Sequence, residues 1–136
     1  VLAGRRPEST AVVARLAAGL GLETRRVGMS ETEIAAVAGD VTLALSTVPA
    51  GAADHLAGTL AGVPALFDAI YHPWPTPLAA AGRGDRVTVT GLDMLLHQAL
   101  RQFELITGAA APGAAMRQAL IDATGTDLAL PLRRGT

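Results

Sequence analysis

The 136-residue chain has no cysteine and no lysine; all eleven of its basic side chains are arginine. Without cysteine there is no disulfide and no thiolate metal site. Aromatic residues make up only 3%, so a core must be built from Ala, Val, Leu and Ile. The formal net charge is −1, a balance that favours neither nucleic acid nor a strongly charged partner. No apolar run approaches the roughly 20 residues of a membrane-spanning helix. Residue 1 already reads as strand rather than as a charged leader, so a cytoplasmic setting is the default expectation. There is no internal repeat and no low-complexity linker. What is present opposes disorder: half the residues are hydrophobic and 17% are charged. The length suffices for one domain with a real core.

Strand and helix signals alternate along the chain. "VLAG" is a short apolar run, and Pro7 is well placed to open a helix over residues 8–19, with Gly19 and Gly21 closing it. "LETRRV" (22–27) reads as a strand. "SETE" (30–33) is a capping box, with Ser30 over the Glu33 amide, opening a helix to about residue 38. Strand 41–46, helix 52–61, strand 64–70, a brief helix 77–81 and strand 86–90 follow. The longest helix covers 91–108, and a last one runs from Pro112 to about residue 123. "LPLRRGT" (130–136) is expected to fray. Most strands are continuously apolar. That predicts a parallel sheet covered on both faces, an open α/β fold.

In such folds ligands gather beyond the carboxyl ends of the strands. Four of these ends carry unusual residues: "GRRPES", "STVPAG", "YHPWPTP" and "TGLDM". Arg5 and Arg6 stand where a strand ends and a helix begins, a place suited to phosphate. The competing reading is a solvated basic turn. The stretch "DAIYHPWPTPLAAA" puts the only tyrosine and the only tryptophan into a turn stiffened by Pro73, Pro75 and Pro77. Proline lowers the entropy such a wall loses on meeting a ligand. Alternatively Tyr71 and Trp74 simply cover the sheet edge. Asp68, inside a strand, is expected to be hydrogen-bonded near the strand end.

Steps of 100° along the long helix place Leu92, Leu95, Leu96, Ala99, Leu100, Phe103 and Ile106 on a core face. Asp93, His97, Arg101 and Glu104 fall on the opposite, solvated face. Gly91, Met94, Gln98 and Gln102 line the flank. A neutral amide at Gln98 suits a polyhydroxylated ligand; otherwise it is a boundary residue. His55, His72 and His97 show no metal-ligand spacing, with His55 and His97 read as surface residues, and no metal is expected. No nucleophile stands beside a base.

Four motifs in order and spacing carry a family resemblance. "GLDMLLHQA" (91–99) resembles the D-G-x-x-M-L-x-x-Q-A signature of shikimate dehydrogenases. "DAIYHPWPTPLAAA" resembles their D-x-x-Y-x-P-x-x-T-P-L-L element. "STVPAG" resembles their N-A-T-P-x-G turn, and "AGRRPES" their N-R-T-x-x-R phosphate motif. The resemblance covers residues 1 to about 123. It implies a Rossmann-like doubly wound parallel sheet and NADP as cofactor, with shikimate and 3-dehydroshikimate as substrate pair. Gln98 and Tyr71 would touch shikimate. Gly91 and Ala69 would hold the nicotinamide end through backbone groups, with Met94 beside it and Thr47 along the dinucleotide. Arg5 matches the arginine that meets the 2′-phosphate. Gly4 replaces the motif's asparagine and Ser9 its second basic residue, and Arg6 is the candidate to restore the lost charge.

The family also has a substrate domain with a catalytic lysine and aspartate, and a glycine-rich loop after its first nucleotide-domain strand. Neither is present in this chain. The resemblance therefore implies an incomplete sheet, lacking the first strand, over residues 1–108. Helix 109–124 would pack on the absent domain, and 125–136 would form a tail. No catalytic residue is expected within the chain, and the fragment alone is expected to be inactive. Two alternatives stay open: a quinate or shikimate dehydrogenase using NAD, and a non-catalytic interaction module. A homodimer is allowed.

Overall fold

The computed structural model describes residues 1–132. Its elements alternate as expected. Strand β1 is Leu2–Ala3, helix α1 Pro7–Gly19, strand β2 Arg26–Val27, helix α2 Glu31–Ala38 and strand β3 Leu43–Ser46. A 3-10 turn at Asp54–Leu56 leads into α3, Ala57–Leu60. Then come β4 Ala65–Asp68, α4 Pro77–Ala80, β5 Val87–Thr90, α5 Gly91–Thr107 and α6 Gly113–Thr124. Every strand pair is parallel. The described strands form two sheets, β1-β2 and β3-β4-β5. This is the expected α/β fold with its sheet interrupted. The strands are shorter than their apolar runs: β2 is confined to Arg26–Val27 where 22–27 reads as strand.

The larger sheet sets the layout. Leu43, Ala65 and Val87 stand in register, and three residues on so do Ser46, Asp68 and Thr90. Side chains alternate between faces, so Ala44 and Leu66 share one face with Ser46 and Asp68. That face is the core: Leu66, 1% exposed, packs with Ile34, Ala53, Leu56 and Leu78, flanked by Met29, Val48 and Leu60. Burying a leucine fully contributes about 1.5–3 kcal/mol. The opposite face is poorly covered: Leu43, Leu45 and Val87 are all exposed.

Polar side chains pin the elements. Ser30 accepts from the Glu33 amide at 3.3 Å, and the Glu33 carboxylate reaches back to Gly28 N at 3.0 Å. Arg86, unremarked in the sequence, donates to the carbonyls of Leu78 (2.5 Å) and Ala79 (2.8 Å). A cation there meets the negative end of α4.

The carboxyl-terminal part corrects the expected fraying of the tail and the expected faces of α5. α6 lies against α5, and Leu92, Leu96 and Leu128 form a second buried cluster with Met116, Leu120 and Leu132 around it. The tail does not fray up to residue 132. Arg117 donates to the carbonyls of Leu130 (2.6 Å) and Leu128, and residues 133–136 lie outside the described part. Asp93, expected in solvent, is 1% exposed because this tail covers it. His97 is only partly exposed, with its Nε2 buried. Ile106, expected in the core, is 83% exposed, since the packing partners of α5 act on its first half.

Candidate functional site

The strands of the larger sheet end level with one another. Beyond the row Ser46, Asp68, Thr90, the next residues are Thr47, Ala69 and Gly91. At about 4.8 Å per strand spacing this rim runs roughly 10 Å. On the other sheet, the residues leaving β1 are Gly4, Arg5 and Arg6. One cavity of about 800 Å³ brings Gly4, Arg5, Arg6 and Ser9 together with Thr47. Ser46, Val48 and Pro49 of the same "STVPAG" turn line it too.

Arg5 and Arg6 are exposed. Neither takes part in an ion pair among the described residues, where the pair seen is Arg101–Glu104 at 3.4 Å. Both guanidiniums are thus available to an anion. Ser9 is committed locally, its hydroxyl donating to Arg6 O at 2.6 Å. Gly4 is tied to β2 through Val27 O at 3.2 Å. A Cβ on it would stand 2.6 Å from Ser9 Oγ and 2.7 Å from Thr10 Cγ2, so a side chain there disturbs the helix start.

The second half of the site lies where β4 and β5 end. Asp68 is buried and accepts from Thr76 Oγ1 at 2.7 Å and from Ile70 N at 3.2 Å. Thr76 in turn caps α4 at the Ala79 amide, 3.2 Å away. One carboxylate therefore clips both ends of the proline turn, as expected for a hydrogen-bonded aspartate at a strand end. The turn contains cis peptide bonds at His72–Pro73 and Trp74–Pro75. Tyr71 stays exposed while Trp74 is half-buried.

Helix α5 starts against this turn. Thr90 caps it, accepting from Leu92 N (3.1 Å) and Asp93 N (3.2 Å), while Asp93 accepts from Thr90 N at 3.0 Å. The pattern T-G-L-D is itself a capping box that sequence reading passed over. A Cβ on Gly91 would collide with the Ala69 carbonyl and come within 3.1 Å of the Tyr71 ring. The structure thus brings Ala69, Tyr71 and Gly91 together. Met94 and Gln98 are exposed one turn apart on the same helix.

Residues 91–121, α5 and most of α6, match the family described as Shikimate 5′-dehydrogenase C-terminal domain. Across 98 residues the chain is 40% identical to a protein named shikimate dehydrogenase (NADP(+)) from Thermosynechococcus vestitus, covering 64% of this chain and 34% of that protein. Over this stretch the chain is similar to shikimate dehydrogenases. It matches the family's C-terminal portion. A relative of the same name from Chlorobium phaeovibrioides is 31% identical over 107 residues, covering 71% of this chain and 37% of the relative. In three dimensions the chain resembles the shikimate dehydrogenase of Mycobacterium tuberculosis. There the TM-score is 0.79 at 42% identity, over 88% of this chain and 46% of that one. The chain thus spans about a third of the length of these two curated relatives. Its Rossmann-like α/β arrangement is that of the family, with a smaller sheet. No helix among the described residues is long and apolar enough to cross a membrane.

Proposed function

We propose that this chain is the cofactor-binding C-terminal portion of an NADP-dependent shikimate dehydrogenase. The reaction is the reversible reduction of 3-dehydroshikimate to shikimate. The observation that carries the reading is the level rim of Thr47, Ala69 and Gly91, continued across one cavity by Gly4, Arg5 and Arg6. NADP fits the residues present. Two unpaired guanidiniums at one end suit a 2′-phosphate. A glycine at 91, where a side chain would meet the Ala69 carbonyl, keeps the other end open to a flat ring.

When bound, NADPH supplies the hydride. This chain's own residues bind and orient. Arg5 and Arg6 would hold the 2′-phosphate, with Thr47 available to the dinucleotide. The backbones of Ala69 and Gly91, with Met94, would hold the nicotinamide end. Tyr71 and Gln98, both exposed toward solvent, meet the hydroxyls of the substrate. Proton transfer falls to a lysine and an aspartate outside this chain, which alone is inactive.

Steady-state kinetics on the complete enzyme, with shikimate and quinate each paired with NADP+ and NAD+, test the reading. The expected result is the highest kcat/KM with shikimate and NADP+. A higher value with quinate or NAD+ would move the assignment to a related dehydrogenase. No turnover with any pair would leave a non-catalytic interaction module.

A further inference from the structure

Helix α6 ends at Gly125, whose φ of 65° turns the chain back on itself. The returning tail runs antiparallel to α6. Leu128 and Leu130 come beside Arg117. Leu132 comes beside Gly113, where an added Cβ would stand 3.6 Å from its Cδ1. The lengths agree: the helix rises about 10 Å from 117 to 124, and extended chain covers about 10 Å from 125 to 128.

Within this return, one residue stands between two opposite charges. Leu130 N donates to Asp93 Oδ1 at 3.0 Å. The Leu130 carbonyl accepts from Arg117 Nη1 at 2.6 Å. The other arm of the same guanidinium, Nη2, donates to the Leu128 carbonyl. Arginine's fixed planar fork suits two carbonyls held side by side. Leu128, 6% exposed, packs with Leu92 and Leu96 of α5. Asp93 Oδ2 accepts from Thr90 N at 3.0 Å and from the Thr90 hydroxyl at 3.2 Å. The bonds therefore run from Arg117 on α6, through the tail, to the junction of β5 and α5. Gly91 stands at that junction, against the Ala69 carbonyl and the Tyr71 ring.

We infer that Arg117 is a positioning residue for the nicotinamide and substrate end of the site. It does not line the cavity. By holding the tail against Asp93, it fixes where α5 starts against β4, and with it Gly91, Met94 and Gln98. Arg5, Arg6 and Thr47 lie on other elements and outside this run of bonds. Loss of Arg117 therefore acts on one end of the site and spares the other, a division that general loosening of the fold would not produce. This role rests on the reading of Gly91, Met94 and Gln98 as cofactor and substrate contacts.

Kinetics, NADP+ titration and amide hydrogen exchange on the complete enzyme test it. In Arg117→Gln, kcat/KM for shikimate is expected to fall on the order of tenfold. The NADP+ dissociation constant should stay within about twofold of the parent's. Exchange at the Leu130 and Thr90 amides should rise. Arg117→Lys, a single point charge in place of a fork, should recover part of the loss, and it carries the same comparison if Arg117→Gln does not fold. The double variant Arg117→Gln, Asp93→Asn should lose no more than the worse single one, because both cut the same run of bonds. Gln118→Ala, which removes only the exposed 2.8 Å bond to Asp122 on α6, should behave as the parent. Additive losses in the double variant, an equal loss of NADP+ affinity, unchanged exchange at Thr90, or a matching loss in Gln118→Ala overturns the inference. A parent without turnover on shikimate and NADP+ refutes the dehydrogenase reading instead, and exchange at Thr90 in Arg117→Gln then decides by itself whether Arg117 holds the start of α5.

Discussion

The carboxylate of Asp93 and the backbone amide of Leu130, 37 positions apart, are joined by a 3.0 Å hydrogen bond. The other oxygen of the same carboxylate holds Thr90 N at 3.0 Å. One buried group thus fastens the tail to the start of the helix that carries Gly91, Met94 and Gln98. Asp93→Ala leaves Thr90 N without this partner in a buried setting and Leu130 N in a partly buried one. A loss of about 2–4 kcal/mol is expected, from bonds to a charged group and a lost cap. Urea unfolding measures the loss, and hydrogen exchange at Leu130 should rise in the same variant.

Gly91→Ala is expected to destabilise despite alanine's better helix propensity. Propensity favours the change by about 1 kcal/mol. The added methyl, however, meets the Ala69 carbonyl, which is backbone and cannot swing away. Overpacking of this kind costs about 1–3 kcal/mol, so the net sign is a lower Tm. A Tm equal to or above the parent's would show that the α5 start can slide off β4.

Arg5→Ala and Arg6→Ala are expected to weaken NADPH about tenfold or more, since a charged hydrogen bond contributes roughly 1.5–3 kcal/mol. NADH binding should barely change. Fluorescence titration of both cofactors on the complete enzyme measures this. Equal losses for the two would place the arginines away from the 2′-phosphate.

Gln98→Ala should raise KM for shikimate or lower kcat, with NADP+ affinity intact. An unpaired ligand hydroxyl costs about 1–3 kcal/mol. Parent-like kinetics would return Gln98 to an ordinary boundary residue.

Glu33 gives the chain an acid-side sensitivity. The Ser30 hydroxyl donating at 2.6 Å, and then the Gly28 amide at 3.0 Å, hold its carboxyl below the usual carboxylate range. A folded-state pKa below the unfolded one stabilises above about pH 4.3. That contribution fades as pH falls through the folded value. Glu33→Gln is therefore expected to flatten the acid limb of a Tm–pH profile; an unchanged limb would show the contact to be inconsequential.

The layout of the candidate site was partly readable from residue order. Thr47, Ala69 and Gly91 each follow an apolar run, and parallel strands bring such ends to one rim. Asp68 could be placed as a hydrogen-bonded strand-end group for the same reason. Asp93, His97 and Ile106 were misplaced by periodicity alone. A 100° step divides a helix into faces but does not say which later segment returns to cover one of them. At Asp93 that segment is the tail at Leu130. At Ile106 no such cover arrives, and the side chain stays 83% exposed.

By itself the sequence determined the alternation of strands and helices, the parallel sense of the sheet and the resemblance to shikimate dehydrogenases, because these follow from local pattern and from motifs read in order. Only the tertiary structure decided which face of β3-β4-β5 is bare, what the tail covers and where the last helix packs. Those depend on what lies across a gap in space, as between Asp93 and Leu130. No periodicity within a single element encodes the distance to its neighbour.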